Sequence, residues 1–464
     1  MGSLVDVDDL LGQLLKRIER HAPYAEVMAE ETSSHLVRYD RSATVVEPSP
    51  SFRGAIFRGW GARGWEETAA SGLGADSLRD AADGLIRRLG FAGGASEPPG
   101  KSSRTRGEAA TETRQPMANV PVPERVALAQ TWFAWATEVK GVRNAYATIQ
   151  TRRDERLFRS TAGARTLQRI DRTRGAVAAL AIENGKVEYD FTGRGGMGGA
   201  EVLDEVTPDR VGRAARAAVD LLHAPAPPVG RMKVLLDPSA AGTFAHESFG
   251  HGAEADQMLR DRSYLKPLLG TMVGPETLTL VDDGARPGGW GSIFYDDEGH
   301  PAGRTVLVDH GRFVEALHDR ESAAALHRAP TGNARRADFL SRPFVRMTNT
   351  FVEPGEMRYE EMVREMGEGV ILESCTSGIE DPLGGNMQIK VKKGHLVHRG
   401  EVQGIRPSMA LSGRVLEFLA AIAGVGRKEG FEMSPGYCGK GHTDLLPTGT
   451  GGPYLLSEAI VGRA

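Results

Sequence analysis

Three features that would assign this sequence to a familiar class of protein are absent or scarce. It has only two cysteines, Cys375 and Cys438, so it can form at most one disulfide and no disulfide framework. No apolar run approaches the about 18 residues of a membrane span, and the N-terminal segment lacks the basic-then-apolar order of a secretory signal. The 57 Lys and Arg are balanced by 61 Asp and Glu. We therefore expect a cytoplasmic protein with no nucleic-acid or membrane partner.

The length and composition predict more than one domain. A chain of 464 residues, 40% hydrophobic and 25% charged, has a globular composition but is too long for one ordinary core. The segment APAPP at 224–228 follows an amphipathic helical pattern and is typical of an inter-domain linker. We expect an α+β fold, with a mixed α/β domain at 1–228 and a β-rich, mainly antiparallel domain at 229–464 that carries the histidine-containing helix described below.

Apolar periodicity predicts the elements of both halves. In the first half it predicts helices at 4–20, 77–89, 123–140 and 208–223 and strands at 25–40, 54–70 and across 143–191. In the second half it predicts several short strands, and helices at 321–328, 358–367 and 411–424. Residues 92–115 contain almost no large apolar side chain, so we expect a disordered loop there.

The chemically active residues are most concentrated in FAHESFGHGAEAD, at 244–256. His246, Glu247 and His251 form the pattern H-E-x-x-x-H. Two imidazoles can bind zinc, and the carboxylate can take a proton from the attacking water. The composition of the chain would produce a His-acid-x-x-x-His pattern only roughly 0.04 times by chance. That frequency disfavours the alternative of two core or surface histidines on one helix.

The spacing of this pattern differs from that of H-E-x-x-H. Successive residues of an α-helix are rotated by about 100°, so positions i and i+4 differ by about 40°, whereas i and i+5 differ by about 140°. A regular helix would direct the rings of His246 and His251 apart. We therefore predict a widened, π-like turn or a helix break between Glu247 and His251, made easier by Gly250.

A catalytic zinc needs a third protein ligand and one open position. The residues that could supply this ligand are Cys438, Cys375, His300, His442, Glu254 and Asp256. Cys438 lies in the Gly/Pro-rich segment PGYCGKGHTDLLPTGTGGP, which we expect to be a loop free to approach a metal. Cys375 ends an apparent strand and is expected to pack as a small hydrophobic side chain. On chemistry alone, Cys438 and the pair Glu254 and Asp256 are equal candidates.

Several motifs of the second half together resemble the TldD/PmbA family of metallopeptidases. They lie between about 233 and 456 and comprise FAHESFGHGAEAD, LTLVDDG, FYDDEGHPAGRT, RAPTGNARR, RMTNT and YCGKGHTDLLPTGTGGPYLL. HESFGH and PTGNARR are the most specific of these motifs. The first half is similar to that family only in the order of its helices and strands.

The resemblance implies a zinc peptidase. It implies an N-terminal α/β domain, a β-rich C-terminal domain, and Zn²⁺ bound by His246, His251 and Cys438, with Glu247 as general base. The family's non-catalytic type of subunit lacks H-E-x-x-x-H, so this chain is similar to the catalytic, TldD-like subunit. Family members act as dimers that cleave unfolded peptides in an enclosed chamber. The expected partners are a peptide or peptide-like substrate and a second subunit, either another copy or a PmbA-like non-catalytic chain.

Other polar residues of these motifs are candidates for substrate binding. They are Asp296, Asp297, Asn333, Arg335, Arg336, Thr348, Asn349 and His442. The arginines could hold a substrate carboxylate or backbone. A solvated acidic turn and surface ion pairs are the alternatives for the aspartates and the arginines.

Departures from the family pattern leave the substrate open. QMLRDRSYLKPL replaces an expected run of the Asp-Phe-Asn-Arg-Lys type, and His442 stands where the family pattern has no histidine. We therefore expect a peptidase of unfolded or leader peptides first, and a tailoring amide hydrolase acting on a small peptide-like metabolite second. A non-enzymatic, zinc-containing modulator is the third alternative. Intact Glu247 argues against it, because a structural zinc site needs no base.

Overall fold

The computed structural model describes residues 3–90, 98–100, 102–440 and 443–464. Its α-helices are α1 (Leu4–Ile18), α2 (Ala75–Leu89), α3 (Val122–Thr137), α4 (Pro208–Leu222), α5 (Pro238–Phe244), α6 (Ala255–Leu259), α7 (Arg320–Ala325), α8 (Tyr359–Met366) and α9 (Val415–Ala420). A π-helix, Ala245–Gly250, follows α5 directly. Among the described residues, no helix combines the length and apolar character that crossing a membrane requires.

In the described residues the strands outnumber the helices. In the first half they are β1 (Tyr24–Tyr39), β2 (Thr44–Gly61), β3 (Gly64–Ser71), β4 (Arg106–Ala110), β5 (Val142–Ser160), β6 (Arg165–Glu183) and β7 (Lys186–Met197). In the second half they are β8 (Gly230–Leu236), β9 (Leu280–Asp283), β10 (Arg304–Asp309), β11 (Arg312–Phe313), β12 (Ala334–Arg335), β13 (Phe344–Val345), β14 (Asn349–Val352), β15 (Gly369–Asp381), β16 (Asn386–His398), β17 (Glu401–Arg406), β18 (Met409–Arg414), β19 (Gly424–Val425), β20 (Glu432–Lys440), β21 (Thr443–Gly452) and β22 (Leu455–Arg463).

The first half is one seven-stranded sheet with four helices on one face. The strand order is β3-β2-β1-β5-β6, and both β4 and β7 pair with the outer edge of β6. On β5, Ala145, Ala147, Ile149 and Leu157 pack into the cores beneath the helices. Since successive side chains of a strand point to opposite faces, Arg152, Asp154 and Arg156 point away from the helices. That second face contacts the second half of the chain. The four helices predicted from periodicity in this half are confirmed.

One prediction for the first half is wrong in part. Residues 92–115 were expected to form a disordered loop, and 91–97 and 101 lie outside the described residues. Residues 106–110, however, form β4, which pairs in parallel with β6 along 165–169. The edge of β6 offers unpaired main-chain groups there, and ladder hydrogen bonds do not require the apolar side chains that the segment lacks.

The second half contains two larger sheets. The six-stranded sheet has the order β11-β10-β9-β14-β21-β20, so β20 is one of its edge strands. In the other sheet, β15, β8, β22, β18 and β16 close into a ring, because β16 also pairs with β15. Most neighbours are antiparallel, the exceptions being β14 with β21 and β15 with β8. This confirms a β-rich, mainly antiparallel second half. Among the described residues, strands β1–β7 and β8–β22 do not pair with one another.

The helix predicted at 411–424 begins too early. Residues Met409–Arg414 form β18, which pairs with β16 on one side and β22 on the other, and α9 begins only at Val415. Pairing on both edges outweighs the helical spacing of the apolar residues in this segment. The helices predicted at 321–328 and 358–367 are present as α7 and α8.

Candidate metal centre and active site

The predicted widened turn is present at the H-E-x-x-x-H motif. The π-helix begins where α5 ends, and the His251 backbone N–H donates to the His246 carbonyl at 3.2 Å, a bond across five residues. The extra residue in the turn compensates for the i, i+5 spacing, so the two imidazole centroids lie 5.1 Å apart. A Cβ atom on Gly250 would lie 2.0 Å from the Met347 sulfur. A larger residue at this position would therefore require the Met347 side chain to move.

The structure brings Cys438 to the two histidines. One ligand atom from each of His246, His251 and Cys438 lies within 4.8 Å of the others, and the Cys438 sulfur is 3.4 Å from His251 Nε2. His246 Nδ1 is buried and has no hydrogen-bond partner in the described structure. Two nitrogens and one sulfur are a donor set suited to zinc. We call these three residues, together with Glu247, the metal centre.

The other candidates for the third ligand lie outside this group. Within the described residues, Cys375, His300, Glu254 and Asp256 do not join the three ligand atoms that converge. His442 lies outside the described residues. Cys375 is half-buried on β15, where its backbone N–H donates to Ser239.

Cys438 is held in a strand, although a loop was expected. It lies on β20, which pairs with β21 and has no strand on its other side in the described structure. An edge strand tolerates Pro435 and the neighbouring glycines, because only one side of it must supply a continuous row of hydrogen bonds. The Cys438 carbonyl accepts a hydrogen bond from the buried Arg346 guanidinium, which further fixes its position.

The local electrostatics favour a thiolate at Cys438. Burial opposes its ionisation, but the imidazoles of His246 and His251 outweigh this effect and lower its pKa to about 4. The thiolate in turn raises the pKa of both histidines, against the effect of their own burial. Together the three side chains therefore carry protons that a bound cation would displace.

Glu254 supports His251 from the side away from Cys438. Its carboxylate lies 3.5 Å from His251 Nδ1 and 2.9 Å from the Lys440 ammonium. Lys440 also contacts Asp256 at 2.7 Å and donates to the Val345 carbonyl at 2.8 Å. Burial opposes ionisation of Glu254, but Lys440 and His251 outweigh it and lower its pKa to about 2. A charged carboxylate behind a metal-binding imidazole fixes the orientation of the ring and its tautomer.

Glu247 and His246 line a cleft of about 1020 Å³ between the two halves of the chain. One wall is formed by β7 and α4 of the first half, and the other by β15, β20 and the start of α5. The Glu247 carboxylate lies 3.9 Å from His251 Nε2. A Cβ atom on Gly378 of β15 would approach Glu247 Cγ to 2.5 Å, so the absence of a side chain there makes room for the carboxylate.

The remaining motif residues form what we call the buried polar network. It consists of Asp282, Asp296, Asp297, Asn333, Arg335, Arg336, Thr348 and Asn349, each at most 3% exposed. Asp296 accepts three backbone N–H bonds at 2.8–3.2 Å. Asp297 accepts from Arg156 Nη1 at 2.8 and 2.9 Å and from the Arg336 backbone at 2.6 Å. The Asp297–Arg156 pair thus joins the two halves of the chain.

Other members of this network are also paired, although Arg336 Nε has no partner in the described structure. Asp282 accepts hydrogen bonds from Asn333 at 2.9 Å and from the Thr348 hydroxyl at 2.7 Å. Asn349 donates to Ser292 at 2.9 Å, and Arg335 donates to two main-chain carbonyls. None of these side chains lines the cleft. The structure therefore places them away from the cleft, and their role in substrate binding stays a prediction. Asp282, their hub, was missed because LTLVDDG resembles an ordinary strand followed by a turn.

Comparisons with known proteins agree with this geometry. Residues 229–462 match the model of the PmbA/TldA metallopeptidase C-terminal domain. A Methanothermobacter thermautotrophicus protein named a metalloprotease is 32% identical over 98% of each chain. A Saccharolobus solfataricus protein named a zinc metalloprotease TldD homolog is 31% identical over 52% of this chain and 54% of its own.

The fold is also similar to that of solved structures. A Thermotoga maritima protein superposes with a TM-score of 0.80 over 99% of this chain and 100% of its own, at 19% identity. Two findings together show the family: the match of the domain model, and the archaeal relative that covers nearly the whole chain. This chain belongs to the PmbA/TldD family of metallopeptidases.

Proposed function

We propose that the chain is a zinc-dependent peptidase that hydrolyses amide bonds of unfolded or leader peptides. One observation carries the proposal: three ligand atoms from His246, His251 and Cys438 converge within 4.8 Å at a cleft that Glu247 also lines. A structural zinc site is usually closed by four protein ligands, whereas a catalytic site has three and an open position. The open cleft beside the metal centre supports the catalytic alternative over a non-enzymatic modulator.

The residues present fit zinc. The unpartnered Nδ1 of His246, buried beside a thiol with a low pKa, is a polar group that needs an electrophilic partner. Held by His246, His251 and Cys438, zinc would supply Lewis-acid chemistry to the scissile carbonyl and the attacking water. The thiolate donates more charge than a neutral ligand does, so we expect the rate to depend strongly on positioning and on exclusion of bulk water.

Glu247 performs the proton transfers in this proposal. Its carboxylate accepts a proton from the water that attacks the scissile carbonyl, and it later delivers that proton to the leaving amine. Lacking a side chain, Gly378 leaves the carboxylate space to approach both positions. Glu254 and Lys440 hold the His251 ring still throughout, through the contacts at 3.5 and 2.9 Å described above.

The cleft offers an extended peptide main-chain partners. Residue 432 and residues 434–437 of β20 line the cleft, and β20 pairs on one side only within the described structure. A peptide that adds as a strand to such an edge is bound through its backbone, largely independently of its sequence. This mode suits unfolded substrates, because a folded protein has few free extended segments to offer.

We further propose that two subunits enclose the cleft in a chamber, with either a second copy or a non-catalytic relative as partner. Light scattering coupled to gel filtration tests the first arrangement directly. A mass of two chains supports a homodimer. A monomer that gains activity when a purified PmbA-like chain is added supports the heterodimer, and a fully active monomer contradicts both.

Cleavage of matched unfolded and folded substrates tests the function. The zinc-loaded protein should cleave a reduced, carboxymethylated protein and leave its native, disulfide-bonded form intact. Chelation should abolish cleavage, and added zinc should restore it. Equal cleavage of both forms would contradict the preference for unfolded chains. Failure on all peptides, with full zinc occupancy and in the presence of the partner subunit, would contradict the peptidase assignment.

A further inference from the structure

Arg174 is a cation in the cleft to which the described part of the chain offers no counter-charge. It lies on β6 and lines the cleft, and within the described residues neither an ion pair nor a hydrogen bond engages its guanidinium. Burial lowers its pKa, because removing a guanidinium from water is unfavourable. The neighbouring cations differ: Arg194 and Arg210 both contact Glu432, and Lys393 contacts Asp190.

The backbone around Arg174 directs its stem towards β20. Arg174 is paired with Gly195 of β7, and a Cβ atom on Gly195 would lie 3.1 Å from both Arg174 Cγ and Pro435 Cβ. The arginine stem therefore passes beside Pro435, in space that only a glycine leaves free. Pro435 precedes Cys438 by three residues on the same strand. At about 3.3 Å per residue, the guanidinium lies within a few substrate residues of the metal centre.

Tyr437 lies two residues after Pro435 on β20, so its side chain is on the same face of that strand and adds a hydroxyl. Arg172 lies two residues before Arg174 on β6 and is paired in register with Arg152 of β5, so the three guanidiniums share one face of the sheet. Asp154 contacts Arg152 at 2.8 Å and Arg172 at 2.7 Å, so one carboxylate serves two of the three cations. Tyr437 lines the cleft and is adjacent to Cys438 in the chain.

We infer that Arg174 and the Tyr437 hydroxyl form a subsite that binds a carboxylate of the substrate within about three residues of the scissile bond. A guanidinium fork matches a carboxylate with two parallel hydrogen bonds, and a half-buried position strengthens them. The inference rests on the proposed peptidase function and adds a specificity to it. The carboxylate is that of an Asp or Glu side chain or of the peptide's own C-terminus.

Matched peptides distinguish these two sources. One set places Glu or its isostere Gln at each of three positions on either side of the cleaved bond, with an amidated C-terminus. A second set ends one to three residues after that bond with either a free carboxylate or an amide. Affinities are measured by fluorescence anisotropy on the zinc-loaded Glu247→Ala variant, which retains bound peptide, and kcat/KM is measured on the unmodified protein.

We expect at least one carboxylate peptide to bind about tenfold or more tightly than its amide counterpart, the size expected of a charge-assisted pair. Introducing Arg174→Met should remove that ratio, and Arg174→Lys should retain part of it. Arg213→Met is the matched control: Arg213 also lines the cleft but is exposed on α4, and its loss removes the same charge. The Arg213→Met variant should leave the ratio of acid to amide affinities unchanged.

The outcomes separate the subsite from the function. Equal affinities for acid and amide peptides, or a ratio that Arg213→Met and Arg174→Met reduce equally, would overturn the subsite. An Arg174→Met variant that weakens acid and amide peptides by the same factor would also overturn it. Peptides that bind with the carboxylate preference but are not cleaved would support the subsite and contradict the peptidase proposal. Cleavage without any preference for a carboxylate would contradict the subsite and support the peptidase proposal.

Discussion

The metal centre and the buried polar network are both built from family motifs, yet the structure treats their polar atoms in opposite ways. In the network, Asp297 accepts three hydrogen bonds from buried partners, and Asp282 gathers several others. In the metal centre, His246 Nδ1 is buried with no partner among the described residues, and Glu247 faces the cleft. The carboxylates of the network are thus satisfied by the protein itself, whereas the metal centre retains unused capacity to bind and react.

The comparison predicts that a change in the metal centre abolishes chemistry and leaves the fold intact. Glu247→Gln should lower kcat by about 100-fold to 10,000-fold, the contribution expected of a general base. Zinc content and the midpoint of thermal unfolding should stay at their original values, because no partner in the fold is lost. A variant that keeps more than a tenth of its activity would show that another group takes the proton.

A change in the network should have the opposite result. Asp297→Asn removes the charge that faces Arg156 Nη1 and leaves this guanidinium only its weaker contact with Glu30 at 3.3 Å, so it should lower the free energy of unfolding by about 1–3 kcal/mol. Urea-induced unfolding measures this loss. The control is Asp309→Asn, whose carboxylate is 57% exposed and pairs with His310 on the surface. It should change stability by less than about 0.5 kcal/mol. Equal effects of the two substitutions would contradict a structural role for Asp297.

The two cysteines share one residue type but differ in their distance from the metal centre. Cys438→Ser should weaken zinc binding by more than about 100-fold, beyond the range expected for a residue that only supports a ligand. Cys375→Ser should leave zinc affinity unchanged, since that sulfur lies outside the converging group. Competition with a chromophoric chelator gives both values. Undiminished affinity in Cys438→Ser would move the third ligand to another residue.

Glu254 lies between the two classes, because it is buried and paired but contacts a candidate ligand. Glu254→Gln retains the shape of the side chain and removes the charge behind His251. We expect zinc affinity to fall by about 10-fold to 100-fold. The free energy of unfolding should change by less than it does in Asp297→Asn. A large loss of stability without any loss of zinc affinity would place Glu254 in the network instead.

Sequence patterns predict some parts of this molecule because those parts depend on local geometry. The i, i+5 spacing of His246 and His251 requires a widened turn, and the structure contains one. The helices of the first half follow from apolar periodicity in the same way. The chemistry of the side chains alone does not distinguish Cys438 from Glu254 as the third ligand. The position of Cys438 depends on the pairing of β20, and Cys438 lies 187 residues beyond His251 in the chain. Only the family resemblance favoured Cys438.

Other features depend on contacts between the halves, which a local pattern does not contain. Asp296 and Asp297 stand in a motif typical of an exposed turn, yet the partner of Asp297 is Arg156, 141 residues earlier. The same holds for β4, which has few apolar residues and is ordered by the free edge of β6. Arg174 belongs to none of the motifs. Its candidacy arises only from the cleft between the halves.

The position of bound zinc is the feature on which the proposed metal centre depends. Diffraction from zinc-loaded crystals above and below the zinc absorption edge would reveal the metal by its anomalous signal. We expect one zinc site per chain, bonded to His246 and His251 nitrogens at about 2.0–2.1 Å and to the Cys438 sulfur at about 2.3 Å, with Glu247 beside an open position. Zinc bound without Cys438, or closed off by a fourth protein ligand, would contradict it.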